Sequence, residues 1–212
     1  PNLGSEAGFI ELCFLEVLSM TDKPWIASYP EDIRWDQEIA PELVHVAMDR
    51  AVANHPTRPC IDFLGRKYSY AEIGALVDQA AAGLQALGVK KGDRVGLFLP
   101  NTPFSVISYY GALDMTLMLP KLAGLVAGGD LERVVVCKFT DALPFPKGLL
   151  FSLLKKGALA KVPKAPAYIS FDSLLESGTV LRAVPFNPLE DLAVLQYTGG
   201  TTGIPKGAML TH

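Results

Sequence analysis

Ser69-Tyr-Ala-Glu-Ile-Gly-Ala-Leu-Val-Asp-Gln-Ala-Ala-Ala-Gly-Leu-Gln-Ala-Leu-Gly-Val-Lys-Lys-Gly-Asp-Arg-Val-Gly-Leu-Phe-Leu99 is the stretch that decides the fold class. Ser69 and Glu72 stand at capping-box spacing, so the serine oxygen and the glutamate carboxylate can each accept a backbone N–H that a helix start leaves unpaired. The helix they open places Ile73, Leu76, Val77, Ala80, Leu84 and Leu87 on one face, the period of a helix with one buried side. Gly88 is placed to end it in the left-handed conformation. Lys90-Lys-Gly-Asp93 then reads as a turn, and Arg94-Val-Gly-Leu-Phe-Leu99 as a buried strand. Asn101-Thr-Pro103 starts a further helix, with proline in the tolerated first turn. Upstream, Leu43 to Asn54 carries a helical stripe of Val44, Met48, Ala51 and Val52, and ends at His55-Pro56. Cys60 to Tyr70 alternates and turns at Gly65-Arg66, a short hairpin. Helices and strands alternating in this order predict an α/β fold, helices layered on a mostly parallel sheet.

Working outward to the other end, Leu192 to Tyr197 is apolar and leads into Thr198-Gly-Gly-Thr-Thr-Gly203, with Lys206 following after Ile-Pro. Such small side chains let a ligand approach the backbone. Glycine reaches φ > 0 at little cost, so successive N–H groups can converge on one anion. Threonine hydroxyls add donors, and lysine a compact positive charge. Thr198, Gly199, Gly200, Thr201, Thr202, Gly203 and Lys206 are therefore candidate ligands for a polyphosphate. The P-loop spacing G-x-x-x-x-G-K-[ST] is not met, because Ile204 and Pro205 stand where the second glycine is required and Gly207 follows Lys206. Ala208-Met-Leu210 leaves the loop, so strand–loop–strand is expected. A bare hairpin needs two to five loop residues, fewer than are present here.

Gln196-Tyr-Thr-Gly-Gly-Thr-Thr-Gly-Ile-Pro-Lys-Gly-Ala-Met-Leu-Thr-His212 resembles the signature loop of the AMP-forming adenylating enzymes, which include acyl-CoA synthetases, luciferases and adenylation domains. Its Tyr-Thr-Gly-Gly form is most similar to that of the long-chain fatty-acid–CoA ligases. The resemblance is tight over Val184–His212 and loose over Met20–Leu113. It implies a fold corresponding to the N-terminal part of the large domain of an adenylating enzyme. It also implies ATP, Mg2+ and coenzyme A as cofactor and co-substrates, with a fatty acid as the activated carboxylate. The seven residues of the loop would hold the β- and γ-phosphates. No catalytic residue and no metal ligand is assigned within the chain. The adenine-recognition segment, the magnesium-binding acid, the ribose-binding aspartate and the C-terminal catalytic lysine are expected beyond His212, so the chain alone is expected not to make acyl-CoA. A nucleotide-binding or inert fragment, and a ligase for a different carboxylate, remain the alternatives.

One departure from the family pattern stands out. Gly111-Ala-Leu-Asp114 runs straight into Met115-Thr-Leu-Met-Leu-Pro120, where the family places a further buried strand, loop and helix. One βα unit is expected to be missing here, between Asp114 and Met115, leaving sheet edge groups exposed.

With half its 212 residues hydrophobic, the chain can bury one substantial core or two small ones. A net charge of −3 gives no sign of nucleic acid as a partner. Cys13, Cys60 and Cys137 are scattered, without metal or disulfide spacing, and are expected to be free thiols in a reducing cytoplasm. His45 and His55 read as structural, and His212 receives no chemical role. No apolar run reaches the roughly 18 residues of a membrane span. Residues 1–19 are expected to be a leader ahead of Met20-Thr-Asp-Lys-Pro-Trp25, with 20–212 the partial N-terminal domain. Residues 142–171 hold Lys147, Lys155, Lys156, Lys161 and Lys164, no acidic residue, and Phe145, Leu149, Leu150, Phe151, Leu153 and Leu154. That pattern fits peripheral contact at the inner face of a membrane, or a solvated linker.

Overall fold

The computed structural model describes residues 24–113, 132–154, 162, 164–178, 180–198 and 206–212. Both the expected leader and the Asp114–Met115 junction lie outside the described residues. The chain divides into two units, Pro1–Ala40 and Pro41–His212. In the first, Pro24–Ser28 forms a single 3-10 turn, and Arg34 pairs with Asp36 at 3.3 Å. Both partners of that pair are exposed, so it contributes little.

The second unit starts with α1 (Val46–Asn54), whose Met48 is buried. Next come the antiparallel strands β1 (Pro59–Phe63) and β2 (Arg66–Ser69). Leu64 (φ 53°) and Gly65 (φ 96°) occupy their two-residue turn. Positive φ at both central positions matches the twist of a hairpin's strands. Glycine takes it freely, whereas leucine is held there at a cost of about 1–2 kcal/mol.

Helix α2 (Tyr70–Ala86) begins with the expected capping box: the Ser69 oxygen accepts the Glu72 N–H, and the Glu72 carboxylate accepts the Ser69 N–H. It ends as a Schellman motif. The Gly88 N–H donates to Gln85 O at 2.9 Å and the Val89 N–H to Leu84 O at 3.1 Å, with Gly88 at φ 92°. Ile73, Val77, Ala80 and Leu84 are buried as the stripe predicts, and so are Ala81, Ala82 and Gly83. The broader burial follows from α2 serving as the hub of the core. Against one side lies α3 (Pro103–Leu113), approaching closely enough that a Cβ on Gly111 would sit 3.0 Å from the Ala80 Cβ. Against another lies α6 (Phe171–Ser177), whose Phe171 and Leu174 are buried with the α2 stripe.

Between α3 and α6 come β3 (Val134–Val136), α4 (Phe139–Ala142), α5 (Lys147–Leu154) and β4 (Tyr168–Ser170). β3 pairs in parallel with β4, Val134 opposite Tyr168 and Val136 opposite Ser170. β5 (Leu192–Thr198) and β6 (Lys206–Thr211) close the chain as an antiparallel pair. The architecture is α/β. Among the described residues its parallel element is the β3–β4 pair, flanked in sequence by two antiparallel hairpins.

Arg94–Leu99, read from sequence as a buried strand, belongs to no strand among the described residues, and Phe98 is 75% exposed. Apolar composition makes a segment suitable for a sheet. A ladder also requires a neighbour to take its N–H and C=O groups. This segment instead lines a cavity of about 550 Å³, together with Leu84 and Leu87 of α2 and Arg133, Val134 and Val135 of the β3 region.

Candidate phosphate-binding hairpin

The expected strand–loop–strand is formed by β5 and β6. Their register runs Val194 opposite Leu210, Gln196 opposite Ala208, Tyr197 opposite Gly207 and Thr198 opposite Lys206. Thr198 and Lys206 are thus the last pair of the ladder. They bring the two ends of the glycine–threonine loop together at neighbouring-strand distance. Gly199, Gly200, Thr201, Thr202 and Gly203 lie outside the described residues. The ladder puts the backbones of Thr198 and Lys206, the first and last residues of the candidate set, side by side.

What holds the hairpin was not visible in the sequence. Ala193 and Val194 are buried against Leu113 at the end of α3, with Val44, Tyr109 and Tyr110 packed around them. At the opposite end from the loop, His212 Nδ1 accepts the Val44 N–H at 3.2 Å, and the His212 ring lies 5.4 Å from that of Phe186. Just before β5, the Asp191 carboxylate accepts from Lys91 Nζ at 2.6 Å and from the Asn187 N–H at 2.7 Å. Lys91 also donates to Pro185 O at 2.9 Å, and its ammonium lies 4.9 Å from the Phe186 ring centroid. The Lys91 bond, then the Asn187 N–H, hold the Asp191 carboxyl below its ordinary pKa. The hairpin is thus tied to the body at its root, the way a rigid scaffold usually carries a loop.

These ties make a pH prediction. Burial, then the neighbouring charges of His45 and Lys91, push the His212 pKa below its ordinary 6.5, with Asp191 opposing them. The folded state therefore prefers the neutral ring, whose Nδ1 can accept from Val44. Its stabilisation is complete above pH 6.5 and is lost as pH falls from there through the folded value. One hydrogen bond is worth about 1 kcal/mol, or about 2–4 °C in a chain of this size. Thermal melts at pH 7 and pH 5 should show a drop of that order, smaller in His212→Gln. Equal pH slopes for the two proteins would contradict the role.

The cavity beside Arg94–Leu99 also contains Cys137. Burial, with lesser effects from Asp172 and Asp141, raises that thiol to about 12. It therefore stays protonated and is unsuited to nucleophilic work. Cys60, the other described cysteine, is also a free thiol. Among the described residues no three histidine, cysteine, aspartate or glutamate side chains converge as a metal site.

A model of the AMP-binding enzyme family matches residues 48–212. The chain belongs to that family. Over 226 residues it is 33% identical to a long-chain-fatty-acid–CoA ligase of Bacillus subtilis strain 168, an alignment covering 91% of this chain and 40% of the relative. A long-chain-fatty-acid–CoA ligase of Escherichia coli O157:H7 is 32% identical over 228 residues, covering 90% and 40%. Among solved structures, apo MbtA of Mycobacterium smegmatis superimposes with a TM-score of 0.58 at 26% identity, over 82% of this chain and 34% of that one. This family member thus spans about two fifths of the length of the curated relatives it matches.

The Bacillus comparison bears on the βα unit expected to be missing. Ninety-one per cent of 212 residues is about 193, yet the alignment runs over 226 positions, so about 33 positions of the relative have no counterpart here. A βαβ unit takes about 30 residues or more. The deficit is of that order.

Proposed function

We propose that this chain is the N-terminal portion of a long-chain fatty-acid–CoA ligase. The observation that carries the reading is the β5–β6 ladder, which closes at Thr198 and Lys206 around a loop of glycine and threonine. Similarity to long-chain ligases from two bacteria supports the choice of substrate class. In the first step a fatty-acid carboxylate attacks the α-phosphate of ATP, forming acyl-AMP and releasing pyrophosphate. In the second, the thiol of coenzyme A displaces AMP to give the thioester. A carboxylate is already ionised near neutral pH, so the first step needs no general base. The requirement falls on positioning and on stabilising phosphate charge.

Thr198, Gly199, Gly200, Thr201, Thr202, Gly203 and Lys206 would do that for the β- and γ-phosphates, through backbone N–H groups, hydroxyls and one ammonium. Mg2+, when bound, would neutralise charge on the leaving pyrophosphate. With no acidic cluster among the described residues, its ligands would come from elsewhere in the whole enzyme. The fold places the loop end of the hairpin away from the Lys91–Asp191 root, so altering the loop should spare the anchor.

The test is fatty-acid-dependent exchange of pyrophosphate into ATP by the enzyme that carries this chain at its full relative length. Lys206→Ala should lower the exchange rate roughly tenfold to a hundredfold, the worth of a charge-assisted hydrogen bond. Unaltered exchange would remove Lys206 from the site. Exchange driven by an aromatic acid and not by a fatty acid would overturn the substrate assignment.

A further inference from the structure

The cavity beside Arg94–Leu99 rests on the packed core of the second unit. Leu84 of α2 and Leu174 of α6 both line it and are 8% and 3% exposed. The two belong to one core cluster, and the lining residues Leu87, Val89 and Val95 are packed on that cluster. This part of the wall is therefore formed before any ligand arrives, as in most small-molecule sites. Phe98 also lines the space but is 75% exposed, which puts it at the opening. The volume of about 550 Å³ falls within the roughly 300–1,000 Å³ usual for such sites. An engineered cavity of about 150 Å³ takes one benzene, so this one has room for about three rings or an alkyl chain of similar size.

The lining also selects by charge. Ser108 of α3 is its single hydroxyl, and Cys137 its single thiol, kept protonated by burial. Its ionic side chains come as neighbours of opposite sign, Asp93 beside Arg94 and Glu132 beside Arg133. All four residues are exposed, and the Asp93 carboxylate accepts the Lys90 N–H at 2.8 Å. Their charges cancel, so they offer no net attraction to an anion or a cation. Glycine, alanine, leucine, valine and phenylalanine supply the rest of the lining. An ionic head buried there without a partner would carry a large desolvation cost. A neutral hydrocarbon body instead gains by leaving water.

We propose that this cavity is a binding site for a neutral, largely hydrocarbon molecule of about three rings or the equivalent alkyl chain. The apolar lining takes its body, and Ser108 supplies the hydroxyl for a hydrogen bond to it. No described residue of β5 or β6 lines the cavity, so the site is separate from the phosphate-binding hairpin and stands whether or not the ligase reading holds.

The experiment titrates the chain with N-phenyl-1-naphthylamine, a neutral probe that brightens in apolar surroundings. A parallel titration uses 1-anilinonaphthalene-8-sulfonate, the same rings bearing a negative charge. The neutral probe should saturate a single site and bind roughly tenfold tighter than the sulfonate or better, since an unpartnered charge resists burial. Leu97→Trp, which adds bulk to a lining residue outside any helix or strand, should weaken the neutral probe about tenfold. With the probe at about ten times its Kd, alkylation of Cys137 by N-ethylmaleimide should slow roughly tenfold, because only the empty cavity reacts. Peptide mass spectrometry reads that rate, and Cys60, which does not line the cavity, should be unaffected. Protection of Cys137 decides the matter if Leu97→Trp lowers the melting midpoint. Unsaturable binding, several sites per chain or an unprotected Cys137 would overturn the proposal. So would equal affinity in a folded Leu97→Trp protein. Sulfonate binding as tight as that of the neutral probe would overturn the ligand class and assign the site to anions held by Arg94 and Arg133.

Discussion

Gly83→Ala should destabilise the chain by about 1–6 kcal/mol, reversing the sign expected for a helical glycine. In an exposed helix interior the same change stabilises by up to about 1 kcal/mol, since alanine loses less backbone entropy. Here an added Cβ would run into the backbone carbonyl oxygen of Leu174, and would sit 2.9 Å from the Leu174 carbonyl carbon and 3.0 Å from its Cδ1. The obstacle is mostly main chain, so rotamer changes cannot relieve it. Overpacking of this kind costs about 1–3 kcal/mol. If α6 undocks, Phe171 and Leu174 lose their burial as well, each worth about 1.5–3 kcal/mol. Gly178 meets the same junction from the other side, since a Cβ there would strike the Ala82 and Gly83 backbone. Urea denaturation of Gly83→Ala and Gly178→Ala measures both changes. A Gly83→Ala protein as stable as the parent would show that α2 and α6 do not touch through their backbones.

Supplying a sheet neighbour for Arg94–Leu99 should stabilise the chain and protect that segment. The segment has strand composition, lies in no strand among the described residues, and lines a cavity of about 550 Å³ that residues of β3 also line. The Bacillus relative has about 33 aligned positions with no counterpart in the 91% of this 212-residue chain that the 226-position alignment takes up. Inserting a βα unit of about 30 residues after Asp114, where the sequence is expected to lack one, should bury Phe98, worth about 1.5–3 kcal/mol. At about 2–4 °C per kcal/mol, the midpoint should rise by roughly 3–12 °C. Amide exchange at Val95 and Leu97 should slow in parallel. Fast exchange at both amides and an unmoved midpoint would mean that the segment is not waiting for a strand.

What could be read from the sequence was the part whose causes lie within a few residues. The Ser69–Glu72 box, the Gly88 stop, the hairpin turn at Gly65 and the proline start of α3 each close hydrogen bonds or fix φ across at most five positions. The candidate loop was legible for a similar reason. Glycine, threonine and lysine carry their chemistry in their side chains, or in the lack of one, and the apolar runs on either side marked the two strands that pair at Thr198 and Lys206.

Contacts between distant residues carried no such signal. Lys91 and Asp191 are 100 positions apart, and Val44 and His212 are 168 apart. Nothing local distinguishes these residues from any other surface lysine or histidine. The sequence by itself determined the α/β class, the element starts and stops, and a loop suited to phosphate, because short-range sterics and side-chain chemistry fix them. Only the tertiary structure decided that the hairpin is rooted by His212 and Asp191, that Gly83 is a packing contact, and that Arg94–Leu99 stands without a ladder. Each of those depends on which groups the folded chain brings together or leaves without a neighbour, and a strand, an anchor and a close approach all require a second partner.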